Sequence, residues 1–340
     1  MPPAALAAPD IDSIVAPFAD DLAQVERSMR EGIRSVAPLI TQVAEHTLAS
    51  GGKRIRPLLV LLTAQLCGYR GSRAIQIAGA TEYLHSATLL HDDVVDGADR
   101  RRGQPSANAA FGPRLAILVG DFLYAHTCSV LVEDGDVDIL ASFADSIRAM
   151  AEGEVLQLAR SFDPEMTEST YLEVIGLKTS SLLATGCEAG AILGKVRRAE
   201  RRALRRYGWE LGLAFQLVDD ALDYSGDGAE LGKAPLTDLA EGKVTLPLLL
   251  TLKRCGVAER EFILQALKSF ALGAQQGTPP DPEEIARVAE CVKLRSGVHT
   301  TLQRADERAA EARAHIEPFV DCQAKRSLAA LTDFVVRRKS

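Results

Sequence analysis

Two short runs of aspartate carry the strongest chemical signal in the chain. The first is His91-Asp92-Asp93-Val94-Val95-Asp96 and the second is Val218-Asp219-Asp220-Ala221-Leu222-Asp223. Spaced four apart, Asp92 and Asp96 project from one face of a helix, as do Asp219 and Asp223. Carboxylates crowded on one face repel one another and drift toward protonation unless a cation sits among them. Hard divalent cations meet that need with oxygen ligands, and magnesium shares its shell among a carboxylate or two, waters and substrate phosphates. Two such faces meeting across a helical bundle would grip one diphosphate through metal ions. The competing explanation for either run alone is a solvated acidic helix end. That each run follows an apolar helix favours the site.

Basic residues supply the complement. Gly51-Gly52-Lys53-Arg54-Ile55-Arg56-Pro57 sets glycines, whose backbone N–H groups can approach an anion, beside three cations. Arg100-Arg101-Arg102-Gly103-Gln104-Pro105 begins four residues after Asp96, which places cations beside the acidic ligands. Neither is a phosphate-binding G-x-x-x-x-G-K-[ST] loop, and Gly232-Lys233-Ala234 also fails that pattern, with Asp227 and Ala234 at the diagnostic places. Asp134, Asp136 and Asp138 imitate the start of a calcium loop, but Ile139 and Asp145 occupy its required Gly and Glu positions. Arg197, Arg201 and Arg205, with Arg198, Arg202 and Arg206 alongside, form basic rows that read as a solvated helix face.

The elements that would hold these residues are helices. Ile75 to Val95, Leu115 to Leu131, Ile139 to Arg160, Tyr171 to Leu193, Glu200 to Tyr224 and Ala305 to Arg313 repeat Leu, Ala and Val at intervals of three and four, and none keeps the period of two of a half-buried strand. Ser50 to Gly52, Gly97 to Ser106, Glu133 to Asp138, Ser225 to Gly242 and Gly273 to Pro282 read as loops. The predicted class is all-α.

With 47% hydrophobic and 25% charged residues, the 340-residue chain can bury one large core. Its net charge of −7 speaks against a nucleic-acid binder. The runs Leu58 to Ala64 and Leu246 to Leu252 are too short to span a bilayer, so no transmembrane segment is expected. Residues 1–10 read as a loose leader without the order of a secretory signal, which sets the expectation of a cytoplasmic protein whose domain occupies 11–340. Cys67, Cys128, Cys187, Cys255, Cys291 and Cys322 lack metal or redox spacing and read as reduced core residues.

In order along the chain, Gly-Gly-Lys-Arg-Ile-Arg-Pro, His-Asp-Asp-Val-Val-Asp, Arg-Arg-Gly-Gln-Pro, Val-Gly-Asp-Phe-Leu, Glu-Gly-Glu-Val-Leu-Gln-Leu, Lys-Thr, Phe-Gln-Leu-Val-Asp-Asp-Ala-Leu-Asp-Tyr and Asp-Leu-Ala-Glu-Gly-Lys-Val-Thr-Leu-Pro resemble the trans-polyprenyl diphosphate synthases, and within them the bacterial octaprenyl enzymes. The likeness implies a single-domain helical bundle of the class I isoprenoid synthase type with a central substrate tunnel, working as a homodimer. It implies Mg2+ held by Asp92, Asp93, Asp96, Asp219, Asp220 and Asp223. It implies isopentenyl diphosphate bound by Lys53, Arg56, His85 and Arg102, and an allylic diphosphate bound by Arg101, Lys178, Thr179, Gln216 and Lys233. Catalysis would rest on Asp92, Asp96, Arg101, Lys178, Thr179 and Gln216. The sequence departs from the family at Ala234-Pro235-Leu236, Ser106 and Pro113, the first of which bears on Lys233.

The implied chemistry is ionisation of the allylic C–O bond, attack by the isopentenyl double bond on the cation, and loss of a proton to the released diphosphate. Ala87 and Thr88, about one turn before Asp92, are too small to stopper a tunnel. The expected product is therefore long, octaprenyl or near it and destined for a quinone side chain, with a floor set by Phe143, Ile147 or Tyr124. The alternatives are a farnesyl or geranylgeranyl synthase, a terpene cyclase and a non-catalytic regulatory subunit. The second diphosphate's cations argue against a cyclase, and the retention of both aspartate runs argues against a regulatory subunit.

Overall fold

The computed structural model describes residues 10–49, 52–101, 103–224 and 236–338. The expected leader, apart from Asp10, lies outside them, as do Arg102 and Lys233. Helices account for nearly everything described. In chain order they are α1 (Ile11–Val15), α2 (Ala19–Gly32), α3 (Pro38–Ala49), α4 (Ile55–Leu66), α5 (Arg73–Val95), α6 (Ala107–Phe111), α7 (Pro113–Asp134) and α8 (Val137–Ala159). Then follow α9 (Glu168–Ile175), α10 (Ser181–Leu193), α11 (Arg198–Asp223), α12 (Thr237–Ala240), α13 (Leu246–Arg254), α14 (Val257–Gln276), α15 (Pro282–Leu294), α16 (Gly297–Ile316) and α17 (Gln323–Arg337). The predicted helices match α5, α7, α8, α11 and part of α16.

Two features depart from the expected all-helix pattern. Inside the predicted loop after α5, Arg100–Arg101 and Gln104–Pro105 pair as a two-residue antiparallel ribbon around Gly103, whose φ of 78° only glycine adopts readily. The stretch predicted as one helix from Tyr171 to Leu193 is instead α9 and α10 joined by one π-turn, Gly176–Ser180. Such turns widen the helix and re-aim side chains, and they gather at functional sites.

Glycine sets the spacing of the central helices. α10 lies between α4 and α11. A Cβ on Gly190 would stand 2.6 Å from Ala64 N in α4, and one on Gly208 would stand 2.6 Å from Leu183 O in α10. The backbone atoms of α4 and α10 cannot yield there, and at Gly190 the Thr63 hydroxyl stands closer still. One core joins α2, α4, α5, α7, α8, α10, α17 and the first half of α11. A second packs the end of α11 against α9 and α13 to α16. α11 belongs to both and so fixes the aspartates at its end.

Arg54, one of the three cations in the Gly-Gly-Lys-Arg-Ile-Arg-Pro run, is structural. At a φ of 47° it turns inward, donating to Glu82 at 2.7 Å, to Leu48 O at 2.8 Å and to Glu26 at 3.3 Å. It thereby ties α2, α3 and α5 to the start of α4. Arg201 and Arg205 also turn inward, onto the buried carboxylate of Glu188, whereas Arg198, Arg202 and Arg206 stay exposed. The rejected calcium loop is a set of ion pairs, Asp134 and Asp136 with Arg73 and Asp138 with Arg201.

α7 is long and apolar enough by length and composition to cross a membrane, a property hidden in the sequence because Arg114, Asp121 and Glu133 interrupt its apolar runs. It lies in the bundle against α5 through Ala116, Val119, Gly120, Leu123 and Leu131. The packing predicts that Gly190→Ala lowers unfolding free energy by about 2 kcal/mol, read as a lower denaturation midpoint at unchanged m-value. An unchanged midpoint would contradict the close approach of α4 and α10.

Candidate active site

α5 and α11 bring their aspartate-bearing C-terminal ends to a single cavity of about 670 Å³. Asp92, Asp96, Asp219 and Asp220 line it, and so do Arg56, His85, Ala87, Thr88, Arg101, Lys178, Thr179 and Gln216. These twelve residues, all singled out from sequence, share one cavity wall.

Three other expected residues lie off the cavity wall. Asp93 points away from Asp92, as the next residue on a helix must, and its buried carboxylate accepts from Arg101 at 2.7 Å. Its placement suits positioning Arg101 better than holding a metal. Asp223, the last residue of α11, accepts from the backbone N–H groups of Thr237 at 3.2 Å and Asp238 at 3.3 Å, which caps α12. Lys53 lies over the Phe334 ring, 5.0 Å from its centre, rather than on the cavity wall.

One hydrogen-bonded chain orders the far wall. The Thr179 hydroxyl donates to Gln216 Oε1 at 2.9 Å, Gln216 Nε2 donates to Asp220 Oδ1 at 2.8 Å, and the Tyr171 hydroxyl donates to Asp220 Oδ2 at 2.6 Å. This fixes the Gln216 amide with its oxygen toward Thr179. The π-turn supplies Lys178 and Thr179, and the Lys178 ammonium pairs with Glu154 of α8. The other oxygen of Glu154 is buried with no hydrogen-bond partner among the described residues.

Lys243, in the Asp-Leu-Ala-Glu-Gly-Lys-Val-Thr-Leu-Pro motif, also reaches the cavity. It lies 3.5 Å from Asp96, 2.7 Å from Glu241 and 4.0 Å from Asp238, which joins the first aspartate run to the segment after the second. Burial opposes its charge, but Asp238, Glu241 and Asp96 outweigh that cost and hold the ammonium protonated. Glu154, Tyr171 and Met150 likewise line the cavity without having been singled out for a role. Glu154 stood within Glu-Gly-Glu-Val-Leu-Gln-Leu, so motif membership was a usable signal for it and for Lys243.

The electrostatics fit a divalent cation. Burial pushes the Asp92 carboxyl up to about 6, with Lys178 opposing, Glu154 and Asp96 adding, and Arg101 opposing. Asp220 is raised first by burial and then by Asp238, against the hydrogen bonds from Tyr171 and Gln216. Among the described residues no group of three His, Cys, Asp or Glu side chains is placed to hold a metal ion by itself. A cation bound there would need waters and phosphate oxygens to complete its shell.

Below the carboxylates the lining turns apolar, with Leu84, Ala87, Tyr124, Ile147 and Met150. The Thr88 hydroxyl is spent on His85 O at 2.8 Å in its own helix. Of the expected floor residues, Ile147 and Tyr124 reach the cavity, whereas Phe143 is fully buried one turn below Ile147.

A sequence model of the family described as Polyprenyl synthetase matches residues 37–276. The chain is 38% identical to the octaprenyl diphosphate synthase of Escherichia coli over 320 residues, 94% of this chain and 96% of that protein. It is also 38% identical over 326 residues to the all-trans-nonaprenyl-diphosphate synthase (geranyl-diphosphate specific) of Rhodobacter capsulatus, covering 96% and 97% of the two chains. Among solved structures, a polyprenyl synthase from Caulobacter crescentus complexed with calcium and isoprenyl diphosphate superposes with a TM-score of 0.93 at 39% identity, over 99% of this chain and 100% of that one.

The raised carboxylates give a signed prediction. Relative to the unfolded chain, Asp92 contributes stability below the ordinary carboxylate range, and that contribution is lost as pH rises through about 6. A cation that binds only the folded site offsets the loss. Millimolar MgCl2 is therefore expected to raise the melting temperature more at about pH 8 than at about pH 5. Equal shifts at both values would count against a carboxylate metal site.

Proposed function

The chain belongs to the polyprenyl synthetase family of prenyltransferases, and on that premise we propose that it is a long-chain all-trans polyprenyl diphosphate synthase that adds isopentenyl diphosphate repeatedly to an allylic diphosphate. The observation that carries this is the make-up of one cavity, whose lining joins acidic and basic side chains to apolar ones that include Leu84 and Ala87, about one to two turns before Asp92 on α5. The long-chain relatives support an octaprenyl product or a near neighbour. Use of that product as a quinone side chain rests on the resemblance.

Asp92, Asp96 and Asp219 would hold Mg2+, with Asp220 beside them tied to Tyr171 and Gln216. When bound, the metal supplies charge neutralisation for the departing diphosphate. Arg101, Lys178 and Lys243 surround the same cavity and would bind the allylic diphosphate oxygens. Each is already held by a carboxylate, Asp93, Glu154 and Asp96 respectively, so little reorganisation is needed as charge develops. Arg56 and His85 would take isopentenyl diphosphate, together with Lys53 and Arg102. The Thr179 hydroxyl oxygen and Gln216 amide oxygen, locked together, would face the developing cation with their negative ends. The apolar shaft excludes the water that would otherwise capture that cation.

A second copy of the chain is the proposed partner. α7 is only 33% buried over its most apolar stretch, with Leu118 61% and Val132 64% exposed, and α8 exposes Val155 and Leu158. Exposed apolar side chains on two long helices suit burial against a second copy. All six cysteines are unpaired, which fits a reducing compartment such as the cytoplasm.

Supplied with farnesyl and isopentenyl diphosphates and Mg2+, the enzyme is expected to release an octaprenyl product or one close to it. Arrest at geranylgeranyl would overturn the open-shaft account. Ala87→Phe should shorten the product by several isoprene units, because the ring enters the shaft about one turn below Asp92. By light scattering the native protein should have the mass of two chains, and Leu118→Glu should shift it toward one. A monomeric native enzyme would remove the proposed partner.

A further inference from the structure

Arg338, directly after α17, lands on the second aspartate run from a remote part of the chain. Its guanidinium carbon lies 3.8 Å from the centre of the Phe215 ring. Its Nη2 donates to Phe215 O at 2.8 Å and to Asp219 Oδ1 at 2.6 Å. The side chain is 6% exposed, and its Nε is buried with no hydrogen-bond partner among the described residues. Phe215 and Asp219 both line the cavity. Among the described residues this is the one ion pair made by Asp219.

As a structural salt bridge the arrangement is poor. A guanidinium matches a carboxylate best as a two-pronged fork, yet here one carboxylate oxygen is engaged and Nε is stranded. Burying a charge on such terms recovers little of its lost hydration. A charge there nevertheless has a clear electrostatic use. Asp219 sits beside Asp220 on the cavity wall, at a helix end that already repels anions, and a fixed cation relieves that field while no metal is present. Once a divalent cation joins the same carboxylate, the two positive charges oppose one another at short range.

We infer that Arg338 is the built-in counter-ion of Asp219, neutralising it in the metal-free enzyme and giving way when the second aspartate run takes up its divalent cation. The inference rests on the metal-binding reading of that run. Coupling of this kind is reciprocal, so metal loosens Arg338 as strongly as Arg338 weakens metal. The contact then links metal loading to the placement of Arg338 at the end of α17.

Mn2+ serves as the probe, titrated by paramagnetic resonance into substrate-free full-length protein. Arg338→Gln should bind Mn2+ about tenfold more tightly than wild type, and Arg338→Lys, which keeps the charge, should stay nearer wild type. A merely structural arginine predicts unchanged or weaker binding in Arg338→Gln, and either result overturns the inference. Hydrogen exchange on the wild-type protein gives an independent check should a variant fold badly. The Arg338 amide, bonded to Phe334 O at 3.0 Å, should exchange faster with Mn2+ and pyrophosphate present. Unchanged or slower exchange contradicts the displacement. Failure of the wild type to bind Mn2+ at all would instead overturn the metal reading itself, and the inference with it.

Discussion

Aspartates at the C-terminal ends of two helices are in an electrostatically costly place. The last carbonyls of α5 and α11 already present partial negative charge, and each helix adds three carboxylates within its final turn or just beyond it. Burial raises the cost, as the upward shifts of Asp92 and Asp220 register. The surrounding structure answers that field with cations drawn from distant segments. Arg101 comes from the ribbon after α5, Lys178 from the π-turn, Lys243 from the segment after α12 and Arg338 from beyond α17. Each settles against a carboxylate in or beside the site. On the proposed reading Arg101, Lys178 and Lys243 then meet a diphosphate with little rearrangement, so a costly charge distribution becomes a preorganised one.

That arrangement needs a rigid frame, and close backbone packing provides it. Glycines let α10 sit against α4 and α11 at distances no side chain would permit, and α11 takes part in both cores. The π-turn spends regular helical hydrogen bonding to re-aim Lys178 and Thr179, and the Thr179–Gln216–Asp220–Tyr171 chain holds that irregular backbone to α11 and α9. Irregularity is therefore confined to where the side chains act.

Periodicity made α5, α7, α8 and α11 legible because each carries a long apolar stripe, and spacing alone paired Asp92 with Asp96. It could not distinguish Arg54 from Arg56, since adjacent cations look equivalent until Glu82 claims the first. Asp93 likewise shares a motif with Asp92, yet the helical rotation between neighbours sends it to Arg101. The π-turn left no trace, because Gly176-Leu177-Lys178-Thr179-Ser180 is compatible with ordinary helix. Arg338 was invisible for another reason: it acts across 119 positions of sequence. Contacts of that range follow from the fold as a whole and from no local pattern.

On the proposed reading, the two aspartate faces hold a diphosphate only through a divalent cation. The direct measurement is calorimetric binding of inorganic pyrophosphate to the metal-free enzyme with and without Mg2+, repeated on Asp92→Asn. Binding that appears only with Mg2+, and falls at least about tenfold in the variant, is the predicted result. Equal affinity with and without Mg2+ would show that the arginines and lysines alone carry the anion, with no metal bridge.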